Sequence, residues 1–231
     1  MPDGGRPRQK RNAMAAAKSN TNWFVIGVSA AVVVVLAVLA FVVVNLNNQA
    51  TSPGPTPGGA IVNQDTGAIT VGKGDKTIDT YIDFICPVCG QFEDAYGEQL
   101  QEAAANDEIT LNIHPVAILD HQSTTDYSSR AAAAMYCVAE DEPDAAVPFM
   151  NLLFENQPAE GSAGLDDAQL KAYAEQAGAA SAADCIDDGT YMKFPTAQAK
   201  EHDVRGTPTV EIDGNRIENS EIATEFAKIF G

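Results

Sequence analysis

Cys86-Pro87-Val88-Cys89 restricts the fold of this chain more than any other feature, because of what flanks it. Thr77-Ile78-Asp79-Thr80-Tyr81-Ile82-Asp83-Phe84 is dense in β-branched and aromatic residues and reads as a strand. Gly90 to about Ala105 reads as a helix. Cys86 therefore sits where a strand hands over to a helix N-terminus, and the unpaired N–H groups and dipole there favour a thiolate. A spacing of three along a helical turn brings Cys89 back beside Cys86. Such a pair can open and close a disulfide with little backbone movement, and the thiolate is its reactive form.

The N-terminal part is organised differently. Trp23 to Val44 is a run of 22 residues without a charge, matching the roughly 20 that span a bilayer. Arg6, Arg8, Lys10, Arg11 and Lys18 precede it against the single acid Asp3. By the positive-inside rule residues 1–22 form a cytoplasmic basic tail, and residues 23–44 a transmembrane signal anchor with Trp23 at the interface. A cleaved signal peptide is the competing reading, but its apolar region is usually only about 7–15 residues. No small-residue cleavage site follows, since Asn45-Leu46-Asn47-Asn48 comes next. Asn45 to Ala60 has the Pro, Gly, Ser and Thr content of a flexible linker. The expected location is the cell membrane, single-pass, with the C-terminal domain extracytoplasmic.

Beyond the tail, nine Lys and Arg face thirty-one Asp and Glu, a net charge of −22 (9 − 31). Nucleic-acid binding needs basic patches, so this balance argues against it. Cys137 and Cys185 complete an even set of four cysteines. In an exported domain they read as a structural disulfide, the alternative being two separate buried thiols. A bond between them closes a loop of 48 residues.

Residues 61–231 make one domain. Ile61-Val62 and Ala68-Ile69-Thr70-Val71 flank a turn at residues 63–67 and suggest a short opening hairpin. A strand over Ile109–Ile118 completes a βαβ unit after the cysteine helix. From about 126 to 204 the pattern is helical, with helices over Ser128–Ala139, Ala145–Phe154, Leu165–Gln176, Ala182–Asp187 and Pro195–His202. Thr209–Ile212 and Arg216–Glu218 read as strands around the turn Asp213-Gly214-Asn215, and Ser220–Phe230 as an amphipathic helix.

This order, with Gly206-Thr207-Pro208-Thr209 opening the hairpin, resembles the thioredoxin superfamily and within it the DsbA-like branch. Asp83-Phe84-Ile85-Cys86-Pro87-Val88-Cys89-Gly90-Gln91-Phe92 is similar to that branch's active-site segment. The resemblance implies an α/β thioredoxin-like fold with a helical insertion between βαβ and ββα halves, in addition to the N-terminal transmembrane helix. It implies an exposed nucleophile at Cys86, a buried partner at Cys89, and Pro87 and Val88 as the active-site dipeptide. Thr207 and Pro208 would form a cis-proline loop that receives substrate. It also implies exported protein substrates with cysteine pairs and a membrane reoxidant of the DsbB-like or vitamin K epoxide reductase-like kind. No bound cofactor is expected.

The chain departs from the family pattern in two places. Thr80 stands where thioredoxin carries a buried acid, and strand parity turns Asp79 and Asp83 to the other face. Either Asp83 near the strand end handles the proton of Cys89, or no fixed acid does. The inner dipeptide Pro87-Val88 lacks the histidine of the strongest oxidants. His114, His121 and His202 are scattered, His114 reading as a structural residue in a strand, and no metal site is expected. A reductase or isomerase, for instance in cytochrome maturation, and a non-catalytic binding module or holdase are the alternatives to a disulfide-introducing enzyme.

Overall fold

The computed structural model describes residues 23–231, so the expected cytoplasmic tail, residues 1–22, lies outside the described residues. The chain divides into two units, one ending at Thr51 and one covering Ser52–Gly231. In the first, helix α1 spans Trp23–Thr51. Among the described residues no helix is long and apolar enough to cross a membrane. The side chain of Trp23, the expected interfacial anchor, is outside the described set.

The segment expected as a flexible linker, Asn45–Ala60, is structured in part. Asn45–Thr51 continue α1. Further on, Pro57 is buried and its carbonyl accepts a 3.0 Å hydrogen bond from Gln64 Nε2. Gly59, at φ +96°, lies so close to the Glu140 backbone that a Cβ would stand 2.7 Å from Glu140 Cα. Proline and glycine content reports freedom in the unfolded chain, whereas here the same residues permit close packing.

The second unit is built on a five-stranded sheet of order β1-β3-β2-β4-β5. In chain order come β1 (Ile69–Val71), β2 (Lys76–Ile82), α2 (Pro87–Phe92), a π-turn (Glu93–Gly97), α3 (Glu98–Ala105) and β3 (Ile109–Pro115). The insertion follows as α4 (Tyr127–Asp141), α5 (Ala146–Glu155), α6 (Asp167–Ala177), α7 (Ala183–Asp187) and α8 (Phe194–Glu201). Strands β4 (Thr209–Ile212) and β5 (Asn215–Ile217) and helix α9 (Ile222–Phe230) close the domain. Only β2 and β3 pair in parallel, and the right-handed βαβ rule then requires the α2–α3 crossover between them. The expected opening hairpin reduces to one bridge, Val62 to Ile69.

Side-chain alternation along β2 sets the two faces of the sheet. Ile78 and Ile82 join the main core with Leu111, Tyr136 and Phe226. Tyr81 joins a smaller cluster with Val116, Ala199 and Val204 under α8. Helix α4 explains the Ala-rich stretch of the insertion: every residue from Ala131 to Ala139 is buried, and small side chains let helices pack on all sides. Cys137 on α4 and Cys185 on α7 form a disulfide. Asp166 is the N-cap of α6, in a capping box with Gln169, so the helix begins at Asp167, two residues after the expected Leu165.

Candidate active site

The end of β2 aims the chain at the reactive pair. Past Ile82 the backbone turns, the Cys86 N–H donates to the Asp83 carbonyl at 3.0 Å, and Cys86 becomes the N-cap of α2. The helix starts at Pro87, three residues before the expected Gly90, because proline at the first position has its φ preset and no N–H to satisfy. The Cys86 carbonyl accepts from Cys89 N–H at 3.0 Å and Gly90 N–H at 3.2 Å. That closed turn stacks the two cysteines. Both are free thiols.

The nucleophile is less open than the resemblance implied. Cys86 is 5% exposed and Cys89 fully buried. Cys86 is covered because its thiol donates to the Thr207 carbonyl at 3.3 Å. Pro87 and Val88 form the exposed rim, with Val88 49% exposed and no other large apolar side chain outside α1 so open among the described residues. The Thr207–Pro208 bond is cis. Thr209, next in sequence, pairs with Tyr81 near the end of β2, and this register brings the loop against Cys86.

The electrostatics separate the two thiols. The Cys86 pKa is lowered to about 6, first by a hydrogen bond from the Cys89 thiol. Thr207 and the backbone N–H groups of Cys89 and Val88 lower it further, against burial. The Thr207 hydroxyl is buried and has no partner besides the two thiols, so it is held ready for the thiolate. Burial pushes Cys89 well above the ordinary thiol range. One cysteine is thus set to attack and the other to stay protonated until it is called on to resolve.

Asp83 occupies the place where a proton-handling acid was sought. It is fully buried, and β2 ends at Ile82, so strand parity no longer governs its direction. Its backbone N–H points at Cys89 Sγ, 3.5 Å away. Its carboxylate accepts from Ile85 N–H at 3.2 Å and from Ile118 and Leu119 N–H at 3.0 Å each. Burial pushes this carboxyl up against those hydrogen bonds and one from Ser128. Asp83 therefore ties the active-site turn to the loop after β3. Asp79, by contrast, holds His114 at 3.0 Å on the other face, where His114 and His202 rings come within 5.2 Å of each other. Among the described residues no three potential ligands gather as a metal site.

One contact has no sequence signal. Gln157, just after α5, donates its side-chain amide to the Cys86 carbonyl at 2.9 Å and to the Phe84 carbonyl at 3.2 Å. The Phe154 ring lies tilted against that of Phe84 beside it, their centroids 5.1 Å apart. The insertion thus grips the active-site turn directly.

Residues 65–230 match the family model described as Thioredoxin. The chain is similar to DsbA from Mycobacterium tuberculosis, with 34% identity, a TM-score of 0.64, and 70% of this chain and 90% of that one covered. It is equally similar to the reduced form of the disulfide bond oxidoreductase DsbG from the same organism, with 35% identity, a TM-score of 0.65, and coverage of 70% and 85%. It is also 34% identical over 170 residues to the serine/threonine-protein kinase PknE of M. tuberculosis, spanning 67% of this chain but only 30% of the kinase. The free Cys86–Cys89 pair at a helix start, the cis Thr207–Pro208 loop against it and the helical insertion agree with these matches: the chain belongs to the thioredoxin superfamily as a DsbA-like thiol–disulfide oxidoreductase.

Proposed function

We propose that this oxidoreductase introduces disulfides into exported proteins from the extracytoplasmic side of the cell membrane. The observation that carries the reading is the split between the cysteines, Cys86 lowered to about 6 and Cys89 raised. A stabilised thiolate favours the dithiol form, which makes the disulfide form a better oxidant. The substrate thiolate attacks Sγ of Cys86 in the oxidised pair, and Cys89 leaves as the thiolate and takes up a proton. The substrate's second thiolate then attacks the mixed disulfide, Cys86 leaves, and the substrate carries the new disulfide. Two electrons pass from substrate to enzyme.

Three further parts complete the proposal. The uncharged stretch Trp23–Val44 anchors the chain, with the basic residues before it in the cytoplasm. Exposed Val88 and the backbone of Thr207 meet an extended substrate segment. A quinone-linked membrane protein of the DsbB-like or vitamin K epoxide reductase-like kind regenerates the Cys86–Cys89 disulfide. Oxidised enzyme mixed with reduced, unfolded ribonuclease tests the core reaction. Transfer of one disulfide per enzyme, absent in Cys86→Ser, supports it; transfer that survives Cys86→Ser overturns it.

A reductase is the second reading. A Cys86 pKa of about 6 lies closer to thioredoxin, about 7, than to DsbA, about 3.5. The reading favoured here is accordingly an oxidant milder than DsbA.

A further inference from the structure

A large groove of the domain lies beside the reactive pair without including it. It has a volume of about 1190 Å³ and lies between the strand around Thr70–Lys73, helix α3 and helix α5. Neither Cys86 nor the Thr207–Pro208 loop lines it. Its size exceeds the roughly 300–1,000 Å³ of small-molecule sites, which suits a stretch of polypeptide. Ile61, Val71, Val147 and Phe154 give it an apolar surface. Glu93, Glu98, Glu102, Asp144 and Glu155 line it as well, against Lys73 as the basic residue in its lining.

Glu93 is what distinguishes this groove from an ordinary acidic surface. It is the first residue of the π-turn between α2 and α3, a helical irregularity that recurs at functional sites. Its side chain is half-buried, and among the described residues its carboxyl has no hydrogen-bond or ion-pair partner. Any Cβ at Gly97 would lie 2.7 Å from Glu93 Oε2, so a glycine there leaves the space the carboxyl occupies. Burial, and then Asp94, raise its pKa to about 7. A carboxyl partly withdrawn from water beside other acids is costly without a partner, and an incoming ammonium or guanidinium group would supply one.

We propose that this groove binds a cationic, amphipathic segment of a partner protein, with Lys or Arg side chains on its carboxylates and apolar side chains against Val71, Val147 and Phe154. The near end of the groove adjoins the active site. Glu93 follows Cys89 by one helical turn, and Phe154 packs against Phe84, two residues before Cys86. A segment held there keeps the rest of its chain close to Cys86 at a raised effective concentration. That the partner is an unfolded exported protein rests on the function proposed above; the groove and its charge preference do not.

The test uses a short, dye-labelled, cysteine-free peptide of alternating Lys and Leu, its Glu and Leu counterpart, and the full chain. Fluorescence anisotropy reads the affinity. The Lys peptide should bind about tenfold or more tighter than the Glu peptide, and Glu98→Gln/Glu102→Gln/Asp144→Asn should weaken it about fivefold or more. The same charge change made outside the groove, Glu160→Gln/Asp188→Asn/Glu218→Gln, should leave the affinity within about twofold. An unchanged glutathione equilibrium shows that both variants are folded. Equal loss in the two triple variants, no loss in the groove variant, or equal binding of the two peptides overturns the proposal. Cys86→Ser should bind the Lys peptide as the wild type does while losing disulfide transfer, so failure of the groove and failure of the oxidoreductase reading give different results.

Discussion

Replacing Thr207 by valine asks how the Cys86 thiolate is held. Valine keeps the shape and β-branching of threonine, suits the extended backbone before a proline, and removes only the hydroxyl donor. That hydroxyl is buried and has no partner besides the two thiols, and it is one of the groups that lower Cys86 to about 6. A hydrogen bond to a charged group contributes about 1.5–3 kcal/mol. Taking the lower end, because the Cys89 thiol and two backbone N–H groups remain, its loss raises the pKa by about one unit, to about 7. At pH 6 the thiolate fraction then falls from about one half to about one tenth. At pH 7 the dithiol form loses about 1 kcal/mol, which lowers the potential of the pair by about 20 mV. Thiolate absorbance of the reduced protein against pH reads the first quantity, and the glutathione equilibrium reads the second. A pKa within about 0.2 units of wild type would refute the assignment of Thr207 as a thiolate donor, and with it this account of the low pKa.

Three other perturbations have defined outcomes. Cys137→Ala/Cys185→Ala opens a loop of 48 residues and should cost about 4 kcal/mol in the chain-entropy account, read by urea unfolding, with the Cys86–Cys89 potential unchanged. Asp83→Ala leaves the N–H groups of Ile85, Ile118 and Leu119 without their acceptor; at about 1 kcal/mol or more for each buried donor, urea unfolding should show a loss of about 3 kcal/mol or more. Glu93 has a folded-state pKa of about 7 against an ordinary 4.5, so the folded state binds its proton more tightly than the unfolded chain does. That contribution is complete below about pH 4.5 and lost as pH rises through about 7, so Glu93→Gln should be nearly neutral at pH 4 and stabilising by about 3 kcal/mol at pH 8 in thermal or urea unfolding.

The parts of the fold that were legible in the sequence are those set by local pattern. Thr209–Ile212 alternates and ends in Asp213-Gly214, and it is a strand with those bounds. The strand–cysteine–helix junction was readable because β-branched density, a proline and a helical stretch fall in order. Three features depended on distant packing and were not readable. Asn45–Ala60 has a linker's composition, yet Pro57 and Gly59 pack against the domain through Gln64 and Glu140. Asp83 lies past the end of β2, where strand parity no longer sets its direction, and its carboxyl is fixed instead by the N–H groups of Ile85, Ile118 and Leu119. Gln157 reaches Cys86 across 71 residues of sequence, and a lone glutamine in a helical insertion carries no motif.

The direction of electron flow is most directly tested by equilibrating the full chain with glutathione buffers at pH 7 and measuring the oxidised fraction of Cys86–Cys89. With Cys86 lowered to about 6 and Cys89 held protonated, the account predicts a potential more positive than about −230 mV, on the DsbA side of thioredoxin and short of the −120 mV of DsbA itself. A potential near −270 mV, the thioredoxin value, would contradict an oxidising role.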